Sequence, residues 1–213
     1  MLRTSIAISL LLLAVGCDKS DNSEQALYRE SGRPKPDVAV VPFIDHSASK
    51  LSWNLSDELS STLCHRLSQK DKLYVVMIGK KERDLFNPFG TETGWIKDNY
   101  PDHEFVAFTE IVEHIEVPTR SERQVSAEAA SAELRMTVRL RVFDMRGEEP
   151  KVVLQELIHK NHFVPKQFNQ YNFDQEPWGD ASFPVSPLGI AHAELTKEIA
   201  SRLEDYILIA TNQ

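Results

Sequence analysis

The most regular alternation in the chain lies in ELRMTVRLRVFDM, residues 133–145. Leu134, Met136, Val138, Leu140 and Val142 are apolar, and Glu133, Arg135, Thr137, Arg139 and Arg141 between them are polar. A period of two is that of a strand with one packed face. The turn Arg146-Gly147-Glu148-Glu149-Pro150 leads into KVVLQELIHKNHF, so the two runs predict an antiparallel hairpin. Two shorter runs, DVAVVPF at 37–43 and LYVVMI at 73–78, are apolar without alternation, as in strands covered on both faces. Between them Leu55, Leu59, Leu63 and Leu67 recur every fourth residue, an amphipathic helix opening at Ser52 or Ser56 and ending at Gln69.

Strand, helix and strand over this length make a right-handed βαβ unit. EFVAFTEIVEHIEV, residues 104–117, reads as a further strand. Residues 79–104 are mixed: KKERD suits a short helix, and the Pro- and Gly-broken remainder a loop. Ser186 as N-cap and Pro187 at the first position open a last helix, striped by Leu188, Ala191, Leu195, Ile199, Leu203, Tyr206 and Ala210. The expected fold is therefore α/β: a three-layer-like mixed sheet, with a βαβ unit followed by an antiparallel hairpin and closed by a packed C-terminal helix.

The amino terminus follows another pattern. Arg3 precedes about ten apolar residues that end in Ala14 and Gly16, a run of signal-peptide length against the ~20 residues of a membrane-spanning helix. Ala14-Val15-Gly16-Cys17 resembles the bacterial lipobox. The resemblance implies cleavage before Cys17, lipid on its sulfur, and anchoring by two or three acyl chains. The expected domains are a signal peptide at 1–16, a lipidated flexible tether at 17–36, polar and broken by Gly and Pro, and a single α/β domain at 37–213. Asp18, directly after the lipidated position, resembles the sorting signal that retains enterobacterial lipoproteins in the inner membrane. With Cys17 consumed, Cys64 alone remains, so no disulfide scaffold is expected.

Lys and Arg total 24 against 32 Asp and Glu, a formal charge of -8. An acidic body does not attract nucleic acid or anionic headgroups, so no nucleic-acid partner is expected and the lipid must supply the membrane contact.

VAVVPFIDHSASKLSWNLSDELSSTLCHRLSQKDKLYVV and LRMTVRLRVFDMRGEEPKVVLQE are similar to segments of a bacterial envelope group: the TolB amino-terminal domain, CsgG and LpoB. The lipobox, the aromatic stretch and SPLGIAHAELTKEIASRLEDYI together resemble lipoproteins of chlamydiae. The short polar connection PTRSERQVSAEAASA replaces the pore-forming hairpins of CsgG, and the short tether replaces the wall-crossing one of LpoB. What the resemblance implies is the fold and a membrane-held adaptor role.

Candidate chemistry is sparse. His103, His114, His159 and His162 lie on or near strands, and the three-residue spacing of the last two sends them to opposite faces, so surface or capped histidines are expected and no metal site. Glu110, Glu113 and Glu116 suggest paired carboxylates, but strand alternation turns Glu113 away from the other two and the Arg-rich neighbouring strand offers ion pairs. Asp45-His46-Ser47 holds the residue types of a hydrolase triad, yet three consecutive residues do not converge. No catalytic motif and no cofactor are expected.

The aromatic stretch VPKQFNQYNFDQEPWGDASFPVSP supplies the candidate partner-binding residues Phe168, Tyr171, Phe173, Trp178 and Phe183. The sequence thus points to a non-enzymatic lipoprotein, held in the inner or outer membrane with its body facing the periplasm, that binds an envelope protein as an adaptor or assembly factor. A ligand- or glycan-binding lipoprotein with an aromatic-lined pocket is the alternative.

Overall fold

A computed structural model of the chain describes residues 27–29, 32–79, 87–119, 131–165 and 177–212. Cys17, Asp18, the KKERD run and the aromatic residues Phe168, Tyr171 and Phe173 lie outside the described residues.

Six strands form one mixed sheet. β1 (Asp37–Val40) pairs in parallel with β3 (Tyr74–Met77) on one side and β4 (Phe105–Thr119) on the other. β4, β5 (Ser131–Asp144) and β6 (Lys151–Val164) continue the sheet antiparallel, in the order β3-β1-β4-β5-β6, and the two-residue β2 (Ile44–Asp45) pairs with β4 off this path. The parallel strands are those the unbroken apolar runs predicted, and the alternating strands are the hairpin. The first run splits, because the chain leaves the sheet at 41–43 before β2.

α1 (Leu55–Gln69) and α3 (Pro187–Thr211) cover one face of the sheet, with α2 (Gly94–Asn99) on the other. The main core lies beneath α1 and α3. It joins Leu55, Leu59, Leu63 and Leu67 to the even-numbered residues of β5 from Ala132 to Val142, all 3% exposed or less, and to Leu188, Leu195, Ile199 and Leu203 of α3. Burial of each such side chain contributes roughly 1.5–3 kcal/mol. A smaller cluster of Ile96, Tyr100, Phe108, Phe143 and Met145 lies under α2, so among the described residues the third layer covers one end of the sheet.

Several sequence expectations need correction. A short helix lies at Gly94–Asn99, in the stretch read as loop. The N-cap of α1 is Asn54, whose side chain accepts from the Asp57 N–H. Ser56 is buried instead, and its hydroxyl donates to the Phe43 carbonyl. In the stripe of α3, Ile207 takes the buried place expected of Tyr206, which reaches out to Glu156. A helix advances 100° per residue, so a one-residue drift over five turns exchanges such neighbours. Ser186 and Pro187 do open α3 as read, with the Gly189 N–H donating to the Ser186 hydroxyl at 3.0 Å. Near the start of the described chain, Lys35 and Pro36 are already buried, and Lys35 pairs with Asp71.

A bulge in β4 matters most for the site. Register shifts between Ile111 and Glu113, leaving Val112 as the extra residue. Glu110 and Glu113 therefore face the same side, opposite Arg139 and Thr137, while Glu116 faces the other, opposite Leu134. This reverses the alternation read from the sequence. It also turns His114, opposite Met136, toward the helices.

Candidate functional site: a buried histidine chain beneath an aromatic pocket

His114 is not a surface histidine. It is 7% exposed, and its Nε2 lies 2.8 Å from Nε2 of His192, itself 1% exposed in the middle of the α3 stripe. His192 Nδ1 is 2.6 Å from Oε1 of Glu58, which is 1% exposed on α1. The indole N–H of Trp53 donates to the other Glu58 oxygen at 2.7 Å. At the far end His114 Nδ1 is 3.1 Å from the Ser49 hydroxyl. A continuous polar chain thus runs Ser49, His114, His192, Glu58, Trp53 through an apolar interior.

The chemistry of the groups orders its protons. An ionised Glu58 only accepts, so His192 donates from Nδ1. With neutral rings, His114 then donates from Nε2 to His192 Nε2, and Ser49 donates to His114 Nδ1. Every polar atom along the path is satisfied, which is the condition for keeping it buried. Burial, reinforced by the neighbouring His192, pushes the His114 pKa down to about 3, with Asp45 pulling weakly the other way. His114 is therefore a neutral imidazole at any ordinary pH.

Glu58 and His192 also form part of the wall of a pocket of about 370 Å³ between α1, the first turns of α3 and the loop before α3. Thr62 and Arg66 continue the α1 wall at four-residue spacing, and Trp178, Gly179, Asp180 and Phe183 supply the loop. Gly179 has φ +106, a conformation open to glycine, and this lets the loop turn sharply between Trp178 and Asp180. Of the five aromatic residues singled out in the sequence, the two in the described part meet here. Phe183 is 7% exposed, with its ring edge-on to Trp53 at 5.6 Å and 6.2 Å from His192, whereas Trp178 at the rim is 39% exposed.

The sequence reading did not find Glu58, His192, Trp53, Ser49 or Arg66. One signal was present: His192 interrupts an apolar stripe between Ala191 and Leu195, where a polar residue must find a buried partner. The other candidates fall elsewhere. His46 turns to Glu110 at 2.8 Å, and Ser47 donates to Asp45 at 2.6 Å, so that tripeptide forms no triad. Glu110 also pairs with Arg139 at 3.3 Å, the ladder ion pair expected of it. His103 contacts Asp37, and His159 contacts Thr137. Among the described residues no group of three or more His, Cys, Asp or Glu is arranged to hold a metal ion.

The fold is that of a mixed α/β sheet domain with its two long helices packed on one face, and the site is a buried polar chain opening into a pocket. The chain belongs to the family of unknown function DUF7499, whose model matches residues 24–211. No curated protein matches it. Its fold is shared with the hypothetical protein CT253 from Chlamydia trachomatis, at 24% identity and a TM-score of 0.61, with 81% of this chain and 98% of that one covered. Protein XCC0632 from Xanthomonas campestris, of family DUF330, aligns at 7% identity and a TM-score of 0.50, covering 84% and 89%. Lipoprotein GNA1162 from Neisseria meningitidis aligns at 11% identity and a TM-score of 0.40, covering 78% and 99%, too distant a likeness to carry argument.

Proposed function

We propose that the protein is a lipid-anchored lipoprotein of the bacterial envelope that works by binding, and that the pocket beneath the Trp178 to Phe183 loop is where it holds a ligand. The pocket carries this reading. It has the size of a small-molecule site, an aromatic rim, and a polar floor whose groups are oriented in advance by His114 and Trp53. The leader and Cys17 support lipid attachment, and among the described residues no helix is long and apolar enough to cross a membrane.

A protein-binding adaptor, the role that the likeness to the TolB, CsgG and LpoB group implies, is the second reading. It is favoured by the outer part of the sheet face opposite α1 and α3. There Ile115, Leu157 and Phe163 are 42, 50 and 60% exposed, beside the Arg135 and Arg139 positions of β5.

Native mass spectrometry of the full-length protein, released from membranes in mild detergent, tests the first reading. A bound small molecule that is lost on Trp178→Ala supports it. A ligand-free protein that instead crosslinks to an envelope protein from a photoreactive residue at Leu157 supports the second.

A further inference from the structure

Among the described residues that line the pocket, Arg66 is the only Lys or Arg. Its Nε is buried and has no hydrogen-bond partner, and no ion pair is formed by Arg66 among the described residues. A desolvated guanidinium N–H without an acceptor costs free energy, on the order of 1–3 kcal/mol. The two nearby acids do not relieve it. Both oxygens of Glu58 are taken, by His192 and Trp53, and Asp180 is exposed in the loop.

We infer that Arg66 receives the carboxylate of a sugar acid whose ring lies against Trp178. This rests on the pocket being a ligand site and names the ligand class. The guanidinium fork is planar and matches the two oxygens of a carboxylate. A phosphate would match the fork as well, but it brings up to two negative charges into a wall that already holds Glu58 and Asp180. A monoanion leaves the wall nearer to balance. Thr62, one turn before Arg66, both donates and accepts, and Asp180 accepts from hydroxyls, so a polyhydroxylated body suits the remaining wall. The exposed indole of Trp178 offers the flat apolar face on which the C–H side of a pyranose ring rests.

The test uses the full-length protein with ¹⁵N-labelled arginine and four probes: D-glucuronate, D-glucose, sodium acetate and inorganic phosphate. The Nε–H resonance of Arg66, assigned by its loss in Arg66→Gln, should shift saturably with glucuronate and, at higher concentration, with acetate. Glucose should leave it unmoved. Arg66→Gln and Arg66→Lys should each weaken glucuronate at least tenfold by calorimetry, since lysine keeps the charge but loses the fork, and unchanged melting temperatures show that both variants fold. Trp178→Ala should weaken glucuronate and spare acetate.

If glucose binds as tightly as glucuronate, the pocket remains a ligand site and the carboxylate assignment is wrong. Phosphate binding more tightly than glucuronate overturns the choice of anion. No saturable shift with either acid overturns the inference, and a Trp178 fluorescence unmoved by every probe counts against the pocket reading as well.

Discussion

Nε2 of His114 on β4 lies 2.8 Å from Nε2 of His192 on α3, two histidines 78 residues apart that join sheet to helix through one shared proton. Neither ring has another polar group in place of the other, so removing one orphans its neighbour. His192→Leu should destabilise the protein by about 3 kcal/mol, because it strands both Glu58 and His114. The double variant His114→Leu/His192→Leu should cost less than the sum of the two single changes. Urea unfolding of the four proteins measures the difference, and strict additivity would disprove the coupling.

The same pair makes stability depend on pH. Unfolded, His114 takes a proton near pH 6.5; folded, it refuses one until about pH 3. Its contribution is therefore complete above 6.5 and is lost as the pH falls, at up to about 1.4 kcal/mol per unit. Glu116, whose pKa burial raises, acts in the opposite sense but equally in wild type and variant, so comparison with His114→Gln isolates the histidine. Two further carboxylates are shifted down out of the window. Arg146 holds Asp144 below the usual carboxylate range. For Glu204 burial acts in the opposite direction but is outweighed by Lys72 and Lys70, so its pKa is lowered too. Denaturant midpoints of the wild type should fall over this window, and those of His114→Gln should fall less steeply.

Gly189 sits in the first turn of α3 against the loop that carries Phe183. A Cβ there would lie 1.9 Å from the Phe183 carbonyl oxygen, a backbone atom that cannot step aside. Gly189→Ala should cost about 3 kcal/mol and displace the inner wall of the pocket, although alanine favours helices in general. Ser186→Ala, which removes only the cap beside it, should cost about 1 kcal/mol. Thermal unfolding ranks the two, and the reverse order would refute the steric account.

Arg141 fixes the loop that covers the second face. Its guanidinium donates to the Pro88 and Gly90 carbonyls at 2.9 and 2.8 Å and to Gln155, and it lies over the Phe89 and Phe143 rings. Arg141→Met keeps the stem and loses the donors. We expect a loss of about 2 kcal/mol and faster proteolytic cleavage at residues 87–90, whereas an unchanged cleavage rate would show that the loop is held by other contacts.

Lipid attachment makes a separate prediction. A clickable fatty-acid analogue should label the wild type and not Cys17→Ser, and an unlabelled wild type ends the lipoprotein reading. Fractionation of Asp18→Ser beside the wild type tests sorting alone: an unchanged membrane distribution removes the role given to Asp18 and leaves the anchor intact.

Much of the fold was legible because its elements carry their own periods. The β5 alternation, the leucine spacing of α1 and the Ser186-Pro187 start of α3 are local signals, set by which face each element buries. Errors fell where local signals compete: Asn54 against Ser52 and Ser56 for one cap, or Tyr206 against Ile207 for one buried position. The site was legible only in part. Trp178 and Phe183 stood out as aromatics in a loop nearly free of aliphatics, but nothing near them in sequence named the residues they would meet.

What the sequence determined by itself was the sheet-and-helix plan, since apolar periodicity fixes which elements form and which faces they hide. The tertiary structure decided the site. One bulge at Val112 shifts the phase of β4 and turns His114 inward, against the alternation that its neighbours suggest. Packing of α3 on α1 then brings His192 to Glu58, 134 residues apart. A hydrogen bond between two buried side chains exists only once the surrounding core has set their distance and excluded water, and no pattern local to either residue encodes that distance.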